Sequence, residues 1–334
     1  MDETGGSIGA YSDLGPDEIL HAVEGTGLRC DGHISALNSY ENRVYQIGIE
    51  DAVPVVAKFY RPGRWSDAAI LEEHAFTLEL AAQEIPVIAP LAPAGGSTLF
   101  HAGPHRIAIY PRIGGRPPEP DNPDHLLMLG RCIARIHSIG ETRPFEHRPV
   151  LDVESFAIEP SRFLLENDFI PADIRPAYSA ISAQLIEKLK DAFGKGPRLR
   201  HIRLHGDCHL GNVLIRDDAP FIVDFDDART GPAIQDLWMF LSGDRHYMTT
   251  GLSDVLEGYC EFREFDKREI RLIEPLRTLR LMHFAGWLAR RWDDPAFPRA
   301  FPWFNSQRYW EEHILALKEQ HSAMDEPSLE WEKP

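Results

Sequence analysis

Two short segments hold the residue types best suited to do chemistry together. One reads His205-Gly206-Asp207-Cys208-His209-Leu210-Gly211-Asn212, and the other Phe221-Ile222-Val223-Asp224-Phe225-Asp226-Asp227. An apolar strand that ends in carboxylates delivers them rigidly to a site at the strand's end. A loop with Asp207 and Asn212 at its two ends can place a carboxylate and an amide oxygen around one ligand. Carboxylates and an amide carbonyl, together with water and phosphate oxygens, are the ligand set that Mg²⁺ prefers. The order H-x-D-x-x-x-x-N, then a strand, then D-F-x, is the spacing of a phosphotransferase catalytic loop and its metal loop. On that spacing Asp207 accepts the proton of a substrate hydroxyl, and Asn212 and Asp224 hold Mg²⁺. Asp226 is the candidate ligand for a second ion, although one acid of the DFDD run can equally serve as a cap.

The same region invites a zinc reading, because His201, His205, Cys208 and His209 crowd together. Neither a CxxC pair nor HExxH is present, so these side chains are expected to pack the loop and hydrogen-bond its backbone. The four cysteines, Cys30, Cys132, Cys208 and Cys260, are scattered, which suits reduced thiols in a cytoplasmic protein.

Upstream, Lys58 stands inside the apolar run VPVVAKFY. A lysine there lies either at a sheet edge or in a cleft that receives phosphate, and the downstream loops favour the cleft. Its acidic partner is then sought on the next helix, at Glu72 or Glu73. No Gly-rich phosphate loop precedes it. The turn Leu37-Asn38-Ser39-Tyr40-Glu41-Asn42-Arg43 takes its place, where Ser39 and Asn42 can offer donors to phosphate oxygens or simply close a polar hairpin.

Elements must position these residues. A helix is expected from Pro16 to Gly25 or Gly27, after a loose tail over residues 1–12. Strands are expected at Arg43–Ile49, Val53–Tyr60, Thr98–His101 and Arg106–Tyr110, with a helix from Ser66 to Gln83. Gly114, Gly115, Pro117 and Pro118 then read as a linker. Beyond it the chain turns mainly helical, with a helix opened by Asn122-Pro123 and another over Ala172–Ala192. Short strands, Leu199–Leu204, Val213–Ile215 and Phe221–Val223, surround the HGDCHLGN loop. Asp266 and Glu269 predict a capping box for a long helix reaching Trp292, bent at Pro275. The expected division is a β-rich lobe over 1–113 and a helical lobe over 114–334.

Composition sets the outer bounds. The chain has 334 residues, 43% hydrophobic and 26% charged, enough for a substantial core. With 35 Lys+Arg against 52 Asp+Glu the formal charge is −17, which argues against nucleic acid as a partner. No apolar run reaches membrane-spanning length and the acidic start is unlike a signal peptide, so a membrane role is not expected.

The HGDCHLGN and VDFDDAR segments resemble the aminoglycoside phosphotransferase/choline kinase-like superfamily. LNSYENRVYQ, VAKFYRPGRW, ILEEHAF, the HRP of His147–Pro149, GPAIQDLWMFLSGD, LIEPLRTLRL and RRWDDPAFPRAFPW are similar, more narrowly, to a family of bacterial stress-response serine/threonine kinases. The resemblance implies a two-lobed, protein-kinase-like α+β fold that uses ATP and Mg²⁺ and phosphorylates serine or threonine of a protein. It also implies Ser39 as a contact to ATP, Lys58 on the phosphates and Tyr110–Ile113 as the hinge that meets adenine. Among the helix acids it favours Glu73. HGD in place of HRD removes the arginine that anchors a phosphorylated activation loop in ordinary protein kinases, and DFD replaces DFG. A kinase of a small amino alcohol or aminoglycoside is the alternative, to be told apart by the acids beside Asp207. A non-catalytic nucleotide binder is disfavoured by the joint presence of Lys58, Asp207, Asn212 and Asp224.

Overall fold

The computed structural model describes residues 11, 13–93, 96–194 and 199–331. The N-terminal part is α1 (Pro16–Glu24), β1 (Cys30–Leu37), β2 (Arg43–Ile49), β3 (Val55–Phe59), α2 (Asp67–Ala82), β4 (Phe100–Ala102) and β5 (His105–Pro111). Its five strands form one antiparallel sheet in the order β1-β2-β3-β5-β4. Lys58 sits in β3, flanked by Val44 of β2 and Ala108 of β5, so it belongs to the centre of the sheet and not to an edge. Ser66 caps α2 by accepting the Ala69 N–H at 3.2 Å.

The remainder is mostly helical: α3 (Pro123–Gly140), α4 (Glu159–Glu166), α5 (Arg175–Gly194), α6 (Arg245–Cys260), α7 (Ile273–Ala289), α8 (Ala296–Ala300) and α9 (Gln307–Ala323). Two small antiparallel ribbons interrupt it. One pairs β6 (Ile202–Leu204) with β9 (Arg229–Gly231), and the other pairs β7 (Val213–Arg216) with β8 (Ala219–Ile222). Asn122 caps α3 through the N–H groups of Asp124 and His125, with Pro123 opening the first turn.

Strand β1 precedes the strands expected and is an exposed sheet edge in which only Cys30 and Ile34 are partly buried. Other expectations are corrected. Asp266 caps only a short 3₁₀ segment, Lys267–Leu272. Glu269 does not complete a capping box but turns inward to accept the Ile234 N–H at 2.9 Å. The helix proper starts at Ile273, so Pro275 falls in its first turn, where a missing N–H costs little and no bend is needed. The tail expected at 1–12 lies outside the described residues except for Tyr11, which is not loose. Its ring lies under Arg43 and Arg61, and its hydroxyl donates to the Phe59 carbonyl at 3.2 Å.

The apolar core does not divide where the sheet ends. Phe76 and Leu80 of α2 join the large C-terminal core, with Phe76 edge-on to both Phe145 and Phe225. A separate cluster under the sheet gathers Ile19, Val23, Ile47, Ala57, Phe59, Ile107 and Ile109. Helices α3 and α6 pack in close contact because glycine faces backbone on both sides. A Cβ on Gly130 would stand 2.0 Å from the Val255 carbonyl oxygen, and one on Gly258 would stand 2.0 Å from that of Leu127.

This close approach predicts that Gly130→Ala lowers the unfolding free energy by roughly 1–3 kcal/mol. Gly251→Ala, whose added methyl meets only side chains at 3.5 Å, should leave it unchanged or raise it. Urea unfolding midpoints of the two variants check this; equal losses would show that the α3–α6 contact has slack.

Candidate active site

The β7–β8 ribbon sets the first pair of functional residues. Val213 faces Ile222 in the ladder, and the Val223 N–H donates to the Asn212 carbonyl at 3.0 Å. Asn212 and Asp224 therefore leave the same end of one ribbon. The Asn212 amide nitrogen donates to the Asp207 carbonyl at 3.0 Å, which leaves its oxygen available to a ligand. Asp224 adopts left-handed backbone angles, φ 62° and ψ 66°, a conformation uncommon for a non-glycine residue. The reversal sends Phe225 into the core against His205 and Phe76, while the Asp224 side chain stays half exposed.

The loop carrying Asp207 is held from beneath by a fully buried carboxylate that sequence reasoning did not single out. Asp236 accepts the N–H groups of His205 and Gly206, each at 2.8 Å. Its third partner is His137 Nε2 at 3.1 Å. Burial holds the His137 imidazole below its ordinary pKa, so the ring is neutral and donates from Nε2 while Nδ1 accepts the Tyr259 hydroxyl at 3.0 Å. Gln235 adds a bond to the Gly206 carbonyl at 2.9 Å. Gly206 itself has φ +86°, and a Cβ there would lie 2.2 Å from the Asp227 carbonyl oxygen. The position occupied by arginine in ordinary protein kinases is thus closed to any side chain here.

The residues of the zinc reading have other work. His205 faces the Val223 carbonyl at 2.8 Å, tying the two motif loops together. Cys208 is buried in the main core, where burial pushes its thiol well up. His209 Nδ1 accepts the Gly211 N–H at 3.0 Å. Among the described residues no group of three or more His, Cys, Asp or Glu surrounds one metal position. Asp224 and Asn212, which both line the cleft, offer one carboxylate and one amide oxygen. That donor set suits a Mg²⁺ whose other ligands are water and phosphate, and it suits zinc poorly.

Charge is concentrated at the base of the site. Lys58 Nζ lies 2.8 Å from Asp224 Oδ1 and 3.2 Å from Asp226 Oδ1, so its ion pairs go to the metal loop and not to Glu73. Although burial alone would lower it, the Lys58 pKa is raised by these two carboxylates. Glu73 is buried nearby, and burial pushes its acid up to about 7. Glu72, the other helix candidate, instead accepts the backbone N–H groups of Glu146, His147 and Arg148. Asp226 is the most enclosed of the three acids in the DFDD run. Arg64 and Asn42 meet its Oδ2, with Asn42 Nδ2 at 3.1 Å, so a second ion here would require these partners to withdraw. Asn42 spends its amide oxygen on the Arg61 N–H at 3.1 Å, which leaves its side chain committed to structure. Asp227 pairs with Arg64 at 2.8 Å and Arg229 at 2.7 Å.

Above this base opens a cleft of about 450 Å³ between the Asn38–Asn42 turn, the two motif loops and α7. Ser39, Asp207, Asn212, Asp224 and Asp226 all line it, whereas Lys58, Glu73, Tyr110 and Ile113 do not. Tyr110 turns inward, its hydroxyl 3.0 Å from that of Tyr60. Asp207 meets Arg280 of α7 through Oδ1 and His209 Nε2 at 3.5 Å through Oδ2. Burial would raise its pKa, but His209 and Arg280 hold the carboxyl well below the usual range.

Besides Asp236, sequence reasoning missed the roles of Arg64, Arg148, Glu41 and Arg280. Arg148, within the HRP segment, donates to the carbonyls of Asp226 and Ala228 and so shapes the metal loop. Glu41 joins the hairpin turn to the C-terminal helices through Trp287 Nε1 at 2.6 Å and Arg291 Nε at 2.8 Å. A lone acid inside the apolar stretch GPAIQDLW, and an arginine on the apolar stripe of α7, were the available signals.

The Asp236 geometry predicts that Asp236→Ala speeds amide exchange at His205 and Gly206 by at least tenfold, roughly the cost of one lost buried hydrogen bond. Exchange in the β2–β3 ladder should not change. Unaltered exchange at His205 and Gly206 would show that Asp236 does not hold the loop.

Residues 33–273 match the phosphotransferase enzyme family. Over 320 residues the chain is 44% identical to stress response kinase A of Escherichia coli strain K12, covering 96% of each. The same identity and coverage hold for a protein of Salmonella typhimurium strain LT2 named serine/threonine protein kinase RdoA. Among solved structures, an amicoumacin kinase in complex with AMP-PNP, Ca²⁺ and amicoumacin superposes with a TM-score of 0.70 at 21% identity, covering 92% of this chain and 93% of the other. A microcompartment-associated aminopropanol kinase gives 0.66 at 18% identity, covering 92% and 96%. With a protein-kinase-like α+β fold, its two motif loops converging on one cleft, and these relatives along nearly its whole length, the chain belongs to the phosphotransferase enzyme family, in the branch that includes stress response kinase A.

Proposed function

We propose that this protein is an ATP- and Mg²⁺-dependent protein kinase of the cytoplasm that phosphorylates serine or threonine and acts in a bacterial stress response. The observation that carries the reading is the placement of Asp207, Asn212 and Asp224 along one cleft, with Lys58 bonded to Asp224 beneath them. The kinase names of the relatives support the activity, and one of those names supports the Ser/Thr acceptor.

In this reading the nucleotide enters between the β-sheet and the motif loops. Ser39 meets its phosphates from the hairpin turn, and the Tyr110–Ile113 segment meets adenine. Lys58 leaves the aspartates for a phosphate oxygen, with Glu73 as the buried acid beside its new position. Asn212 and Asp224 hold Mg²⁺, which supplies charge neutralisation on the β- and γ-phosphates when bound. Asp207 aligns the acceptor hydroxyl. The hydroxyl oxygen bonds to the γ-phosphorus as the bond to the β,γ-bridging oxygen breaks; ADP departs and the hydroxyl proton passes to the Asp207 carboxylate. Positioning and electrostatics do most of the work in such a transfer.

The solved neighbours are kinases of small molecules, amicoumacin and aminopropanol among them. The carboxylates in this cleft weigh against a cationic acceptor of that kind. Glu41, Asp207, Asp226 and Asp227 are each already paired with an arginine of the chain itself, and Asp224 is set aside for Mg²⁺.

Radiolabelled ATP with Mg²⁺ and a generic protein acceptor should yield acid-stable phosphoserine or phosphothreonine. Asp207→Asn, which keeps shape but loses the charge, should cut transfer by about 10²-fold or more. Binding of a non-hydrolysable ATP analogue, followed by calorimetry, should change little. Loss of nucleotide binding with an unchanged rate at saturation would make Asp207 a metal ligand instead of the base.

A further inference from the structure

Asp207 cannot act as a base in the arrangement described. Arg280 occupies one carboxylate oxygen and His209 approaches the other. A hydroxyl can be aligned and deprotonated only after Arg280 swings away, and its guanidinium then needs another anion. Arg280 is 46% exposed at the cleft mouth, so water can solvate its guanidinium when it leaves Asp207. The other acids of the cleft cannot take it: Glu41, Asp226 and Asp227 each hold an arginine, and Asp224, once Lys58 has left it, is set aside for Mg²⁺.

The wall that Arg280 belongs to is one stripe of α7. Leu276, Leu279, Arg280, His283, Phe284 and Trp287 recur at helical spacing and all face the cleft. His283 stacks on Phe156 with ring centroids 4.5 Å apart, and burial pushes its pKa down to about 3, so it is neutral. The helix has one carboxylate, Glu274, and that is bound to Gln320 at 2.6 Å and Arg277 at 3.3 Å. The acceptor wall is therefore apolar with a single movable cation.

Resting on the kinase reading above, we propose that Arg280 selects the acceptor, guarding Asp207 in the free enzyme and transferring to a carboxylate or phosphate that lies beside the acceptor hydroxyl. The acceptor class is thus an anionic hydroxyl compound, such as a serine or threonine in an acidic peptide segment. The chain's overall charge of −17 does not conflict with this, because charges beyond about 10 Å are screened at physiological salt. Recognition by Arg280 is local.

The test measures kcat/KM for four acceptors with ATP and Mg²⁺. Two are peptides with one serine flanked by glutamates or by lysines; two are small hydroxyl compounds, glycerate and 1-amino-2-propanol. The wild type should favour the anionic member of whichever pair accepts phosphate, by about 10-fold or more, as expected of a charge-assisted bond. Arg280→Ala should bring that ratio toward one, and Arg280→Glu should invert it. The ratio is taken within each variant, so a change in the amount of folded enzyme does not move it. A cationic preference in the wild type, or a ratio unchanged in Arg280→Ala, overturns the role of Arg280 and leaves the kinase reading standing. Transfer to none of the four, nor to protein, overturns the kinase reading and this inference with it.

Discussion

The buried carboxylate of Asp226 is the interaction on which the rest of the site depends. An anion so enclosed survives only if cations and donors surround it, because its desolvation is expensive. Here the compensation comes from the N-terminal part: Asn42 from the hairpin turn, Lys58 from β3 and Arg64 from the segment before α2. Arg148 fixes the Asp226 carbonyl from behind. These contacts tie the sheet and the hairpin turn to the Asp224–Asp227 loop of the C-terminal part. Removing Arg64 would leave the charge partly uncompensated, which for buried pairs costs about 3–5 kcal/mol. The Glu41 contacts to Trp287 and Arg291 fasten the same turn from its outer side.

A division of labour follows. Asp226 and Asp236 are buried and fully engaged, and they shape the two loops. Asp207 and Asp224 stand more open, at 26% and 51% side-chain exposure, and face the cleft. Reactive groups held by a rigid, hydrogen-bonded support lose little freedom when the reaction begins, which is how a site of this kind gains its electrostatic advantage. The neutral His137 ring, between the Tyr259 hydroxyl and the Asp236 carboxylate, is part of that support.

Much of this was legible in the chain. The strand around Lys58, the caps at Ser66 and Asn122, and the β7–β8 ribbon between the two motifs follow from local pattern and turn chemistry. Strand β1 was not legible, because an exposed edge does not alternate. The start of α7 was misplaced because Asp266 and Glu269 imitate a capping box while Glu269 is drawn to Ile234. At the site, the motif residues were found by spacing, but their partners were not. Lys58 was matched to an acid on α2, whereas Asp224 and Asp226 lie more than a hundred residues away. Which arginine meets which aspartate is decided by the packing of α7 and the motif loops, and no local rule encodes it.

The central claim is that Asp224, now held by Lys58, forms the nucleotide–metal site together with Asn212. A crystal structure of the full chain with a non-hydrolysable ATP analogue and Mn²⁺, the ion located by its anomalous scattering, tests it most directly. The account predicts Mn²⁺ on the Asp224 carboxylate and Asn212 amide oxygen, Lys58 Nζ moved onto a phosphate oxygen, and Asp226 still held by Arg64 and Asn42. Manganese bound away from Asp224, or a nucleotide bound with Lys58 still on both aspartates, would contradict it.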